Sequence, residues 1–174
     1  MKISKLIFLF MLAVATVGCN KDDDNGPEPY VLSNANLAGS YKTTLLKGHI
    51  EQTFNVNGSD VQSITDIVGD TFQLTTVFAV DGTYTTSGQY RTVTTVTTAN
   101  NPPEITTEII LVDDSGTYVL NTTTKKITIT VDGDSDTFDV ALFNETKLNL
   151  FQESSDPIGG VPTTATFNIN FERK

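Results

Sequence analysis

Cysteine is all but missing. Cys19 stands alone among 174 residues, so no disulfide can form within the chain. Histidine is as scarce, with His49 the only one. A Ser-His-Asp or Cys-His device would need that residue as its base. It sits in Lys47-Gly48-His49-Ile50, a turn or strand end with no nucleophile motif beside it. One imidazole cannot build a His-rich zinc or iron site either. Tryptophan is absent, and positive charge is thin: 11 Lys+Arg face 21 Asp+Glu, a formal net charge of −10. So acidic a chain argues against nucleic acid and against electrostatic adhesion to an anionic membrane, which both need clustered Lys/Arg. No apolar run is long enough for a spanning helix. The longest, residues 6–15, has ten residues, where about 20 are required.

Threonine, by contrast, is abundant, with 29 copies. It is β-branched and suits a strand face that meets water. After residue 35 no helical apolar period of useful length appears, and alternation appears repeatedly. Phe72, Leu74 and Phe78 share a face. Ile127, Ile129 and Val131 alternate with Lys126, Thr128 and Thr130; Phe138, Val140 and Leu142 with Thr137, Asp139 and Ala141; Ala165, Phe167, Ile169 and Phe171 with Thr166, Asn168, Asn170 and Glu172. Weaker runs are Tyr41/Thr43/Leu45, Ile105/Thr107/Ile109/Leu111 and Leu148/Leu150. Turn chemistry falls between them at Asp81-Gly82, Asp113-Asp114-Ser115-Gly116, residues 121–124, residues 132–136 and residues 144–146. Residues 100–103 and 154–162 are longer loops. The expectation is an all-β domain of about eight to ten antiparallel strands. Closing it into an up-and-down barrel hides its edges; a β-sandwich is the alternative. Residues 56–68 break the alternation and are expected to form a lid-like insertion, a short helix or a rim loop.

The N-terminus reads as an address. Lys2 and Lys5 precede the apolar run, which ends in Thr16-Val17-Gly18-Cys19. That is the layout of a secretory signal peptide over residues 1–18. Its end resembles the lipobox of bacterial lipoproteins, which implies that Cys19 is acylated and becomes the first residue of the mature chain. Multiple acyl chains give the stable anchoring that one chain does not. Without residues 1–18, which hold two lysines and no acid, the net charge becomes −12. Residues 19–35, beginning Asn20-Lys21-Asp22-Asp23-Asp24, are too polar at their start to bury anything and are expected to be a flexible tether. The acidic run also resembles the export signal of surface-exposed lipoproteins. Outer-membrane anchoring, extending to the cell surface, is what these resemblances imply.

Residues 36–174 make the folded domain. Leu37-Ala38-Gly39-Ser40-Tyr41, Phe78-Ala79-Val80-Asp81-Gly82-Thr83-Tyr84, Ser115-Gly116-Thr117-Tyr118-Val119-Leu120, Ile127-Thr128-Ile129 and Leu148-Asn149-Leu150 follow in order. This series resembles the small lipocalin-like domains of bacterial lipoproteins. The resemblance implies a barrel with one closed end and a mouth, and a basic residue of the last strand, here Arg173, stacked on Tyr41 where the wider family has Trp. It also implies an interior that takes a small apolar or amphipathic ligand, without enzymatic activity or a cofactor. The ligand-facing residues are then expected to be Phe72, Leu74, Phe78, Tyr84, Tyr118, Ile127, Ile129 and Phe138. The rival expectation is a cell-surface interaction module with a filled core, working through rim segments 56–68, 99–104 and 154–162. Asp132, Asp134 and Asp136 alternate as calcium ligands do, but Thr137 and Phe143 stand where a calcium loop wants Gly and an acid, so an acidic turn is the better reading. Glu51 and Glu108 lie on strands with nothing in the sequence to bring them together as a catalytic pair.

Overall fold

The alternating runs all become strands. The structure, a computed structural model, describes residues 30–99, 101–155, 157 and 160–174. A one-turn helix α1 (Asn34–Leu37) is capped by Ser33, whose hydroxyl accepts from the Asn36 amide at 3.2 Å. Eight strands follow: β1 (Gly39–Val56), β2 (Ser59–Phe78), β3 (Thr83–Thr98), β4 (Glu104–Asn121), β5 (Lys126–Val131), β6 (Asp134–Phe143), β7 (Lys147–Ser154) and β8 (Thr163–Arg173). Each pairs antiparallel with the next, and β8 pairs with β1, closing an up-and-down barrel in sequence order. The fold class is therefore that expected from the alternation, with eight strands.

The strands are unequal. β1 to β4 run 18, 20, 16 and 18 residues, whereas β5 to β8 run 6, 10, 8 and 11. The first four rise beyond the other four as a tall wall on one side of the mouth. Residues 56–68 belong to this wall. They are neither helix nor lid: β1 runs through Val56, Asn57 and Gly58 turn with φ of 53° and 84°, and β2 starts at Ser59. Positive φ at both central residues makes the tight turn whose twist matches that of the flanking strands. The Asp113–Gly116 stretch is likewise no turn. It lies inside β4, paired with Tyr84, Thr85, Thr86 and Ser87 of β3, because a long neighbouring strand satisfies its backbone and outweighs local turn preference. Asp134 and Asp136 stand in β6, leaving Asp132-Gly133 as the turn.

The core gathers at one end. Leu37, Tyr41, Phe78, Tyr84, Tyr118, Ile127, Phe138, Val140, Leu148, Leu150 and Phe171 form one buried cluster. Phe78 is its hub, with ring centroids 5.7 Å from Tyr41, 5.3 Å from Tyr118 and 6.5 Å from Phe171, all edge to face. Each such pair adds about 0.5–1.5 kcal/mol beyond area burial. Four threonines, Thr43, Thr76, Thr92 and Thr163, are buried as well, so threonine is not confined to the wet face. Their hydroxyls can pair internally: Thr76 Oγ1 lies 3.0 Å from Thr86 Oγ1, and Thr163 donates to the Val161 carbonyl at 2.9 Å.

This end is sealed by the segment before β1 and the end of β8. Arg173 donates to the Ala38 carbonyl (2.8 Å), to the Tyr30 and Tyr41 hydroxyls (3.2 and 2.6 Å) and to the Asn36 carbonyl. Its guanidinium carbon lies 4.9 Å from the centre of the Tyr41 ring, the pairing that the family resemblance implies. Tyr41 in turn donates to the Leu37 carbonyl at 2.9 Å. Burial pushes its phenol up to about 12, with Arg173 pulling the other way, so it stays protonated and both donates and accepts. Tyr30 packs on Phe143 (5.1 Å), and Leu32 rests against the core.

Candidate functional site

Two β-bulges, between Lys42 and Leu46 on β1 and between Asp70 and Gln73 on β2, re-aim the side chains that follow them. At the second, Thr71 adopts φ 52°, and Phe72 stacks on Tyr90 with centroids 5.9 Å apart and planes 20° apart. Inward glycines make room for such rings. A Cβ on Gly69 would lie 2.9 Å from Phe72, and one on Gly48 would lie 2.8 Å from Phe167.

Between this level and the sealed end lies a cavity of about 250 Å³. Phe78, Tyr84 and Phe171 line it from the core side, with Leu46, Leu74, Val112, Ile129 and Ile169 around it. Its polar lining is Thr43, Thr76, Thr86, Tyr90 and Asp114. It is several times the roughly 30 Å³ share of one water and somewhat below the 300–1,000 Å³ typical of drug-sized ligands. Larger concavities lie elsewhere among the described residues. One, about 430 Å³, is bounded by Tyr30–Leu32 on one side and Phe143 on the other. Another, about 330 Å³, lies beside His49. Neither has the interior site's convergence of apolar and aromatic side chains from six of the eight strands, and that convergence is the mark of a small-molecule pocket.

Electrostatics give the cavity a direction. Burial raises the Tyr84 and Tyr90 phenols above their ordinary value, and the Asp114 carboxylate adds to both shifts. Two neutral phenols and, on the solvent-exposed side of the lining, the Asp114 carboxyl therefore border the cavity together with the Thr76 and Thr86 hydroxyls.

Of the residues expected to face a ligand, Leu74, Phe78, Tyr84 and Ile129 line the cavity. Phe72 reaches it only through Tyr90. Tyr118, Ile127 and Phe138 lie in the packed core, 3%, 0% and 9% exposed; Tyr118 donates to the Ala79 carbonyl at 2.6 Å. Cys19 lies outside the described residues. The lining residues that sequence reasoning passed over are Thr43, Leu46, Thr76, Thr86, Val112, Asp114, Ile169 and Phe171. Ile169 and Phe171 stood on a recognised apolar face, whereas the threonines looked water-facing and Asp114 looked like a turn residue.

His49 faces outward on β1, its Nδ1 2.6 Å from Asp66 and its Nε2 3.1 Å from Glu51. Hydrogen bonds to these acids, Asp66 first, raise its pKa above the ordinary imidazole value. The group sits on the exterior wall, away from the cavity. Among the described residues no set of three or more His, Cys, Asp or Glu is placed to hold a metal ion. No family model matches the chain, and neither the curated proteins nor the solved structures compared with it give a match.

Proposed function

We propose that this protein is a lipid-anchored, lipocalin-like carrier or receptor, holding a small apolar or amphipathic molecule in the barrel interior without chemical turnover. The observation that carries the reading is the 250 Å³ cavity walled by Leu46, Leu74, Phe78, Tyr84, Ile129 and Phe171. Apolar burial supplies the affinity, at about 25 cal/mol per Å², and the few polar groups set orientation. Asp114 beside Tyr84 and Tyr90 favours a ligand whose polar end is neutral or cationic; a fatty carboxylate would meet a like charge. The volume suits a compact molecule or one chain end of a larger one.

Binding of 1-aminoanthracene, an apolar fluorophore with one amine, tests this. Its emission should rise and shift to shorter wavelength on the wild-type barrel. Thr86→Phe should weaken binding at least about 10-fold, the effect of losing about 1.4 kcal/mol, while the circular dichroism spectrum is kept. Equal binding by Thr86→Phe, or none by the wild type, would reject the carrier reading.

The anchor rests on Cys19 following Thr16-Val17-Gly18. Cys19→Ser should leave the protein unlabelled by radioactive palmitate and release it into the soluble fraction, since loss of all acyl chains removes about 0.8 kcal/mol per buried CH₂. Retention of label and membrane association by that variant would reject the anchor.

A further inference from the structure

One strand of the tall wall has a side with nothing on it. β4 pairs with β5 only over Thr117 to Asn121. Its preceding residues 104–116 have β3 on one side and, among the described residues, no strand on the other. The Tyr118 amide donates to Gly82 on the β3 side at 2.7 Å. The β3–β4 register is unbroken, and antiparallel backbone groups alternate in direction. The amides and carbonyls of Ile105, Thr107, Ile109, Leu111 and Asp113 therefore point at the open edge.

Free edges are usually blunted by lysine, proline, a bulge or short length. Residues 104–116 carry no lysine, no proline and no bulge. Three of their six outward side chains are apolar instead: Ile105, Ile109 and Leu111 are 66%, 68% and 79% exposed, beside Thr107, Asp113 and Ser115. Every charge on β4 is negative, at Glu104, Glu108, Asp113 and Asp114. Glu104, Glu108 and Asp114 share the inward-turned face with Tyr118. Beyond Thr130, which pairs with Thr117, the β5–β6 turn brings Asp132 and Asp134 toward the lower end of the same gap.

We propose that this edge is a docking site for an extended, basic segment of a partner protein, added as an antiparallel strand with apolar side chains outward and Lys or Arg inward. Backbone pairing supplies the affinity and alternate side chains the selectivity. Charge decides the occupant. A second copy would place eight carboxylates in one two-stranded seam on a chain already at −10, and like charges across a seam are destabilising. A basic strand neutralises them. The edge shares Asp114 with the cavity lining, while Glu104 and Glu108 stand outside that lining.

The test uses the purified protein and a synthetic peptide alternating valine with lysine, long enough to pair with residues 105–115. Its partners in the comparison are the same peptide with glutamate for lysine and a scrambled lysine peptide. The lysine peptide should bind at least about 10-fold tighter than the glutamate one, the discrimination electrostatic complementarity supplies. It should slow amide exchange at Ile105, Thr107, Ile109, Leu111 and Asp113. Thr107→Pro removes an edge donor without touching the β3 ladder and should abolish binding. Glu108→Lys should reduce the preference for lysine over glutamate, and serves if the proline variant does not fold. Equal binding of the glutamate or scrambled peptide, or protection confined to other strands, overturns the proposal. So does a concentration-dependent dimer in sedimentation that Thr107→Pro dissolves, because the occupant is then a second copy.

Discussion

Gly88→Ala should cost the barrel a large part of its folding stability. Gly88 lies on β3 opposite Leu74 on one side and Val112 on the other, with φ of 124°. A Cβ built there would lie 2.0 Å from the Gln73 carbonyl oxygen, 3.0 Å from its carbon and 3.3 Å from the Leu74 Cα. All three are backbone atoms. No side chain can swing aside, and the Gln73 carbonyl sits just past the β2 bulge that sets the inward aim of Leu74, Thr76 and Phe78. Relief requires the β2–β3 ladder to part, and the positive φ adds a penalty of its own. The combined cost should exceed about 4 kcal/mol, the range reserved for named backbone failures, against a total stability of roughly 5–15 kcal/mol. Thermal unfolding followed by circular dichroism should show the midpoint lowered by more than about 10 °C at 2–4 °C per kcal/mol. Gly58→Ala is the contrast. Its φ is 84°, but nothing lies within 4 Å of the new methyl, so only the conformational cost of about 1 kcal/mol should appear. A Gly88→Ala protein within 2 °C of the wild type would mean that the β2 bulge is soft, and the cavity's shape would then no longer depend on it.

Strand existence was legible wherever an apolar face met the core. Ile127 and Ile129, Phe138 and Val140, and Ala165, Ile169 and Phe171 all turn inward as their alternation implies. β4 shows why the rest was harder. Its alternation is real, but its apolar set of Ile105, Ile109 and Leu111 faces solvent, while Glu108 and Asp114 share the face of Tyr118. Period alone says that two faces differ; which face is inward is set by the register against β3, a long-range fact. Residues 56–68 misled for another reason. Their pattern is weak because the hairpin tip rises beyond the core, where neither face is buried, and only Asn57-Gly58 carries the turn signal. The cavity was half legible. Large apolar residues announce a lining, so Leu74, Phe78, Tyr84 and Ile129 could be named, but empty space arises where small or polar residues face inward. Thr43, Thr76 and Thr86 supply that space, and threonine's strand preference says nothing of direction. Tyr118 and Phe138 stand in the core cluster rather than in the cavity lining, because closing one end of a barrel itself consumes rings.

The seal at that end makes the second large effect. Arg173→Met should lower the unfolding midpoint by about 10 °C, from a loss of about 3 kcal/mol as neutral acceptors lose a charged donor. Arg173 hydrogen-bonds the last strand to the segment before the first: it serves the carbonyls of Asn36 and Ala38 and the hydroxyls of Tyr30 and Tyr41 at once. Methionine fills similar volume but donates nothing, so two carbonyls and the Tyr41 oxygen lose a charged donor, at about 1–3 kcal/mol per buried group left unpaired. Part of the loss is returned, because the Arg173 Nε is buried without a partner of its own. Lysine should recover less than half: one ammonium is a point donor and cannot span the fork of four acceptors. Tyr41→Phe separates the two kinds of contact. The ring remains for the cation while the hydroxyl that accepts from Arg173 and donates to Leu37 goes, so a cost of about 1–2 kcal/mol assigns the seal to hydrogen bonds rather than to the ring face. If Arg173→Met melts with the wild type, this seal does not hold the barrel shut. Stability must then come from the aromatic cluster around Phe78 alone.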